Sequence, residues 1–279
     1  NIAAVERCVL RASVMFNSIL LVGCGNMAGA MLEGWLAAGA DPARFTVVDP
    51  ARDTAPGGIA VLRGLPAEGV FDAILLGVKP QNLAEIAPQV EPLAGPHTAI
   101  LSLLAGVELA SLQARFPRAR AAVRLMPNLA AALGKAPIAL AEAGLDDGER
   151  AGLSVFLQPL GQPQWVAEDK FDLVTALAGS GPAFVYRFID ALSVGAIRLG
   201  LAEDQARALA LAMVDGASAL ASRSEHAPGQ LADMVASKGG VTREGLDVLD
   251  EGEALVRLMT ATLRAAQDRS AAMAREARG

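Results

Sequence analysis

Ile19 to Glu33 reads ILLVGCGNMAGAMLE, an apolar run that breaks into closely spaced glycines and then resumes with helical spacing. Four consecutive apolar residues, Ile19 to Val22, suit a buried parallel strand. Met27, Ala30, Met31, Gly34 and Trp35 then fall on one face of the helix that follows. Between the two, Gly23, Gly25 and Ala28 fit G-x-G-x-x-G/A. In that pattern the first glycine allows the sharp turn, the second lets backbone approach a pyrophosphate, and the small third residue lets helix and strand pack closely. The helix start at Asn26 and Met27 offers unpaired N–H groups and a partial positive charge to the same pyrophosphate. Phe45-Thr46-Val47-Val48-Asp49 reads as a second strand ending in a carboxylate 26 positions after Gly23. That is where a dinucleotide's adenosine ribose hydroxyls are taken.

Working outward, Phe71 to Val78 and Thr98 to Leu104 read as further buried strands. In an open parallel sheet ligands lie beyond the carboxyl ends of the strands. Val78-Lys79-Pro80-Gln81 and Ala105-Gly106-Val107 are therefore expected to rim the cofactor groove, with Pro127-Asn128 at the edge of a strand over Ala121 to Met126. Ile138 to Glu142 is another expected strand, Asp146-Asp147 caps a helix after it, and the sheet is expected to end near Gln164-Trp165-Val166. From Phe171 onward alternation disappears. Helices are expected over about Pro182 to Leu199, Glu203 to Ser222, Gly229 to Ala236 and Glu251 to Arg278. The expected fold is an α/β Rossmann-type N-terminal domain over 1–167 followed by an all-α C-terminal domain over 168–279, with residues 1–14 a helix-capable extension outside the core fold.

Composition narrows the function classes. The chain has 279 residues, 53% of them hydrophobic and 4% aromatic, so its cores are built from Ala, Leu and Val. A net charge of −6 and only four lysines (Lys79, Lys135, Lys170 and Lys238) leave no basic stripe to track a phosphate backbone, and nucleic acid is not expected as a partner. Apolar runs stop short of the roughly 18 residues a membrane span needs, so no membrane partner is expected. Cys8 and Cys24 have neither metal nor disulfide spacing, which fits a reducing cytoplasm. Two histidines, His97 and His226, give little material for a His-rich metal site or a Ser/His/Asp triad, and no metal is expected. Helices this apolar around much of their circumference need burial between subunits, with a homodimer as the minimum.

Two glycine-rich breaks interrupt the helical half: Gly179-Ser180-Gly181-Pro182 and Gly239-Gly240-Val241-Thr242. In the second, free N–H groups and a hydroxyl converge on a helix start, which reads either as a carboxylate or phosphate cradle or as a loop with a Thr cap.

The motifs occur in an order that resembles the pyrroline-5-carboxylate reductases, from Leu20 to Gly252. They are GCGNM at Gly23 to Met27, VKPQ at Val78 to Gln81, AGV at Ala105 to Val107, MPN at Met126 to Asn128, GSGPAF at Gly179 to Phe184, PGQL at Pro228 to Leu231, and GGVTREGLDVLD at Gly239 to Asp250. The resemblance implies a Rossmann domain carrying NADPH or NADH and a helical domain that interlocks with a second subunit, with larger rings of dimers common. It implies that Gly240, Val241 and Thr242, with Ser237, hold the substrate carboxylate. Thr175 then hydrogen-bonds the ring nitrogen, Glu225 lies near that ring, and the substrate loop faces the partner's cofactor. A cyclic imine, once protonated, is already an electrophile, so placement against the nicotinamide supplies much of the acceleration, effective molarities corresponding to roughly 7–11 kcal/mol.

The chain departs from the family pattern at Ala178, Lys238 and Val241, where Ser, Pro and a small or Thr residue are usual, and these changes bear on substrate preference. Asp49 favours NAD, while Arg52 and Arg44 are placed to receive a 2′-phosphate. A β-hydroxyacid dehydrogenase needs a lysine in the helix after the glycine cluster at Gly179 to Gly181, and Pro182 to Leu199 has none. A reductase of another cyclic imine fits every motif, and a non-catalytic dinucleotide-binding regulator is the alternative from a different class.

Overall fold

The structure is a computed structural model that describes residues 15–276; the extension expected over 1–14 lies outside the described residues. Eight strands form one sheet in the order β3-β2-β1-β4-β5-β6-β7-β8. They are β1 (Ile19–Val22), β2 (Phe45–Val48), β3 (Val61–Leu62), β4 (Ala73–Leu76), β5 (Ala99–Ser102), β6 (Ala121–Met126), β7 (Ala136–Ala143) and β8 (Gly161–Trp165). β1 pairs in parallel with β2 and β4, so the strand order reverses beside β1 and opens a crevice there. The two-residue β3, unanticipated from sequence, is too short to show an alternating pattern. β7 runs antiparallel to β6, because residues 127–135 between them are too few for a parallel crossover.

Helices cover both faces. Against one face lie α1 (Asn26–Ala37) and, further along the chain, the helix Asp147–Leu157. Trp35 stacks on Phe156 at 4.8 Å and donates its indole N–H to the Phe156 carbonyl at 3.1 Å. The buried side of α1 is Ala28, Met31, Leu32 and Trp35, whereas Met27, expected on that side, stays half-exposed at the loop. Against the other face lie α2 (Leu83–Val90) and α3 (Leu109–Arg115). The helix Asp147–Leu157, α4, opens on Asp146, whose carboxylate accepts from Glu149 N while the Glu149 side chain reaches back to Asp146 N, a complete capping box. Phe171 of the short α5 (Phe171–Val174) is 1% exposed in the same core as β6, and a single π-turn over Thr175–Gly179 continues it.

The chain divides into two compact units. The first runs through Gly179 and takes back the stretch from Ala266 onward; the second is Ser180–Ala265. The sequence placed a break at 167/168. Residues 168–179 group with the sheet because Phe171 sits in its core and the Ala178 carbonyl accepts from Asn128. The second unit contains α6 (Gly181–Arg198), α7 (Glu203–Ala221), α8 (Pro228–Met234), α9 (Val241–Asp250) and the start of α10 (Ala254–Glu276). A turn at Glu251–Glu253, with Glu253 at φ +58°, separates α9 from α10 where sequence suggested one helix from Glu251. Within this unit Val185, Tyr186, Leu209, Leu211, Met213 and Leu220 are exposed. No helix among the described residues is long and apolar enough to cross a membrane.

Candidate active site

The glycine loop sits at the carboxyl ends of β1 and β4. Gly23 has φ +86°, and a Cβ there would meet the Gly77 carbonyl carbon at 2.9 Å; a Cβ on Gly77 would meet the Gly23 oxygen at 2.5 Å. Two glycines thus face each other backbone to backbone, and Gly77, at the end of FDAILLGV, was missed in the sequence, where it looked like part of a strand. Ala28, 1% exposed, packs into the same junction. Gly25 differs: a Cβ there meets nothing within 4 Å. It caps α1 without a side-chain bond, and the N–H groups of Asn26, Met27 and Ala28 precede the first intrahelical bond, from Gly29 N to Gly25 O at 2.8 Å. Free donors, a helix dipole and open space above a glycine fit a pyrophosphate.

Asp49 lies at the end of β2 but is 9% exposed. Its carboxylate accepts from Cys24 N and Ala51 N, both at 2.9 Å, and so ties the glycine loop to β2. Its role in holding the loop is structural, whatever it contributes to a ribose. Arg52 is half-exposed and near enough to lower the Cys24 thiol pKa, whereas Arg44 is turned away, donating to the Phe16 carbonyl at 3.0 Å. Burial is the dominant influence on Cys24 and raises its pKa, with Asp49 adding to the rise. The neutral thiol is therefore favoured in the folded state. Its stabilising contribution is complete below the unfolded thiol's pKa, about 8.5, and is lost as pH rises through the folded value. Melting curves of wild type and Cys24→Ala are expected to run parallel below about pH 8 and to converge at alkaline pH as the wild type loses this contribution. Cys24 should resist iodoacetamide until the protein unfolds; alkylation of the folded protein, read by peptide mass, would contradict this.

Along the rim, Val78 is half-buried and Lys79 exposed, ahead of the turn Pro80–Asn82. Gly106 has φ +77°, and a Cβ would meet Ala274 N at 2.9 Å. Both its left-handed backbone and its packing against α10 favour glycine there, and Ala105 beside it is half-exposed. Pro127 is buried and Asn128 is 6% exposed. The Asn128 amide donates to the Ala178 carbonyl at 3.0 Å, and its oxygen accepts from Ala130 N at 3.0 Å. Each end of this side chain is engaged by a neighbour within the protein. Ala178 is buried as well, and its carbonyl is occupied by Asn128.

Thr175 is half-exposed at the start of the π-turn, and its Oγ1 donates to the Phe171 carbonyl at 2.8 Å. Since a carbonyl only accepts, the hydroxyl hydrogen is committed there and the oxygen presents its lone pairs.

In the second unit Ser237, Gly240, Val241 and Thr242 gather at the start of α9. Gly240 donates to the Ser237 carbonyl at 2.9 Å, and a Cβ on Gly240 would meet Ser237 Oγ at 2.4 Å, so serine hydroxyl and glycine backbone share one small space. Gly240 caps α9 without a side-chain bond, leaving the N–H groups of Val241 and Thr242 ahead of the first intrahelical bonds. Arg243 pairs with Asp233 at 2.8 Å and anchors this turn to α8. Val241 is 93% exposed, and Lys238, Thr242 and Glu225 are exposed too.

A glycine loop at the switch point of a Rossmann-type sheet, followed by a helical unit with a second glycine-led helix start, is the two-part organisation of a dinucleotide-dependent oxidoreductase. The helical region matches, over residues 168–273, the family model described as pyrroline-5-carboxylate reductase dimerisation. A pyrroline-5-carboxylate reductase of Pisum sativum is 35% identical over 254 residues, covering 88% of this chain and 92% of the relative. The structure of such a reductase from Coxiella burnetii has a TM-score of 0.82 at 28% identity, covering 91% of this chain and 97% of the other. The fold is shared with the Plasmodium falciparum pyrroline carboxylate reductase with NADP bound, with a TM-score of 0.77 at 22% identity and coverage of 92% and 98%. The chain belongs to the pyrroline-5-carboxylate reductase family.

Proposed function

We propose that this chain reduces the C5=N bond of 1-pyrroline-5-carboxylate to give L-proline, the last step of proline biosynthesis, using NADPH or NADH. The observation that carries the reading is the pairing, in one member of this family, of a glycine loop open at Gly25 with an uncapped, glycine-led helix start at Gly240. When bound, the reduced nicotinamide supplies the hydride. The chain's own part is to bind and orient. The N–H groups at the start of α1 hold the pyrophosphate. Ser237, Gly240, Val241 and Thr242 hold the substrate carboxylate through N–H and hydroxyl donors. Thr175, its own hydrogen donated to Phe171, accepts from the N–H of the protonated imine and keeps the ring in its electrophilic form. Glu225 lies near that ring, where a carboxylate favours the same charged form.

The helical region from 168 onward serves dimerisation and substrate binding. A second copy covers the exposed apolar faces of α6 and α7, brings the substrate loop to the partner's cofactor, and leaves room for rings of dimers. The reaction runs in the cytoplasm. Cofactor choice rests on Asp49, held within the loop, against Arg52 beside it.

The test is reduced-dinucleotide oxidation, with each cofactor, on the five-membered imine and its six-membered homologue. The five-membered ring is expected to give the higher kcat/KM; equal or reversed preference would move the assignment to another cyclic imine. Thr242→Ala is expected to raise substrate KM about 10- to 100-fold, the loss of one hydrogen bond to a charged group, with dinucleotide affinity unchanged. An effect confined to the cofactor would remove Thr242 from the carboxylate site.

A further inference from the structure

Beyond these groups, β6 carries a residue that packing alone does not require. Arg124 is 4% exposed on a strand otherwise made of Ala, Val, Leu and Met. Its Nη1 pairs with Glu168 Oε1 at 3.1 Å, its guanidinium lies over the Phe171 ring at 4.1 Å, and its Nε is buried without a hydrogen-bond partner. The same Glu168 oxygen accepts from Leu109 N at 2.7 Å. An arginine buried with an orphaned donor and paired to a solvent-exposed carboxylate contributes little net stability compared with an apolar residue of similar size. What it does contribute is a fixed geometry for the residues it touches.

Those residues belong to the segment that carries Thr175. Side chains two apart on a strand point to the same face; Arg124 and Met126 of β6, and Asn128 in the extended backbone just past its end, all meet residues 171–179. Arg124 stacks on Phe171, whose carbonyl receives the Thr175 hydroxyl. A Cβ on Gly179 would meet Met126 Sδ at 3.3 Å and Thr175 Cγ2 at 3.9 Å. Asn128 holds the Ala178 carbonyl at 3.0 Å, inside the π-turn. Such turns occur mostly as single insertions and frequently at functional sites, and their displaced carbonyls need partners.

We propose that Arg124 and Asn128 are positioning residues for the reduction: β6 and the residue just past its end grip both ends of the helix and π-turn and thereby aim the Thr175 oxygen. This rests on the role given to Thr175 above. Three variants test it. Arg124→Met keeps the volume and the contact with Phe171, and leaves Glu168, whose side chain is 37% exposed, to water and Leu109. Asn128→Asp keeps the acceptor for Ala130 but loses the donor to Ala178. Glu168→Gln removes the charge from the exposed side should either of the others fold poorly. Each is expected to lower kcat between about 10- and 100-fold, the cost of displacing a reacting group by the order of an ångström. Dinucleotide affinity and substrate KM stay near wild type, and amide hydrogen exchange quickens within 171–179. The decisive readout is coupling: in a Thr175→Ala background Arg124→Met is expected to cost little more, because both act through one oxygen. Full additivity, or a folded variant set with wild-type kcat, overturns the proposal while leaving the reductase intact. Wild-type protein that turns over no cyclic imine overturns the underlying reading, and the positioning role with it.

Discussion

Replacing Thr175 with alanine is expected to lower kcat about 10- to 100-fold on pyrroline-5-carboxylate while dinucleotide affinity stays within about twofold of wild type. The hydroxyl donates to the Phe171 carbonyl at 2.8 Å, so what alanine removes is an acceptor, directed by the helix itself. An acceptor for an imine N–H matters only when the imine is protonated, which is also when it is most electrophilic. The loss therefore falls on the form of the substrate that reacts. Thr175→Ser keeps both the back-bond and the lone pairs and is expected to retain most activity. Thr175→Val keeps the shape, loses the oxygen, and should behave as alanine. Steady-state kinetics on the three variants settle the point: equal rates for valine and threonine would exclude the oxygen from the reaction.

The second large effect separates two glycines that the sequence motif treats alike. Gly23→Ala puts a Cβ 2.9 Å from the Gly77 carbonyl carbon at φ +86°. The left-handed backbone alone costs about 1–2 kcal/mol for an L side chain, and the contact forces the ends of β1 and β4 apart. A fall in Tm of roughly 5–10 °C is expected, together with weaker cofactor binding. Gly25→Ala has φ −67° and meets nothing within 4 Å, so its stability is expected to stay within about 0.5 kcal/mol of wild type. Its methyl nevertheless occupies the space above the helix start, and a rise of about tenfold or more in dinucleotide Kd is expected. Thermal melts and fluorescence titrations of the two variants distinguish these roles; a destabilised Gly25→Ala with intact binding would invert the assignment.

Much of this arrangement was legible in the chain. Strand, loop and helix from Ile19 to Trp35 follow from apolar periodicity and glycine spacing, and β6 has the bounds its apolar run implies, Ala121–Met126. Short-range chemistry was legible too, as the Asp146 capping box illustrates. What sequence did not reveal depends on contacts distant in the chain. Gly77 looked like part of a strand until Gly23 was placed against it. Gly106 was placed at the groove rim by its strand end, but its close contact with a helix more than 150 residues later was not legible. Asn128, in a recognisable motif, turned out to have both polar ends engaged by neighbours. The one visible signal for Arg124 was a charge in the middle of AAVRLM, a strand buried along its whole length.

The most direct test of the central claim follows the hydride. Dinucleotide deuterated at the transferable C4 position of its reduced nicotinamide is incubated with the protein and pyrroline-5-carboxylate, and the product is examined by mass spectrometry and NMR. Deuterium at C5 of L-proline, in one configuration and in step with dinucleotide oxidation, is the predicted result. Dinucleotide that binds without transferring its label, or a label found anywhere other than C5, would contradict the account.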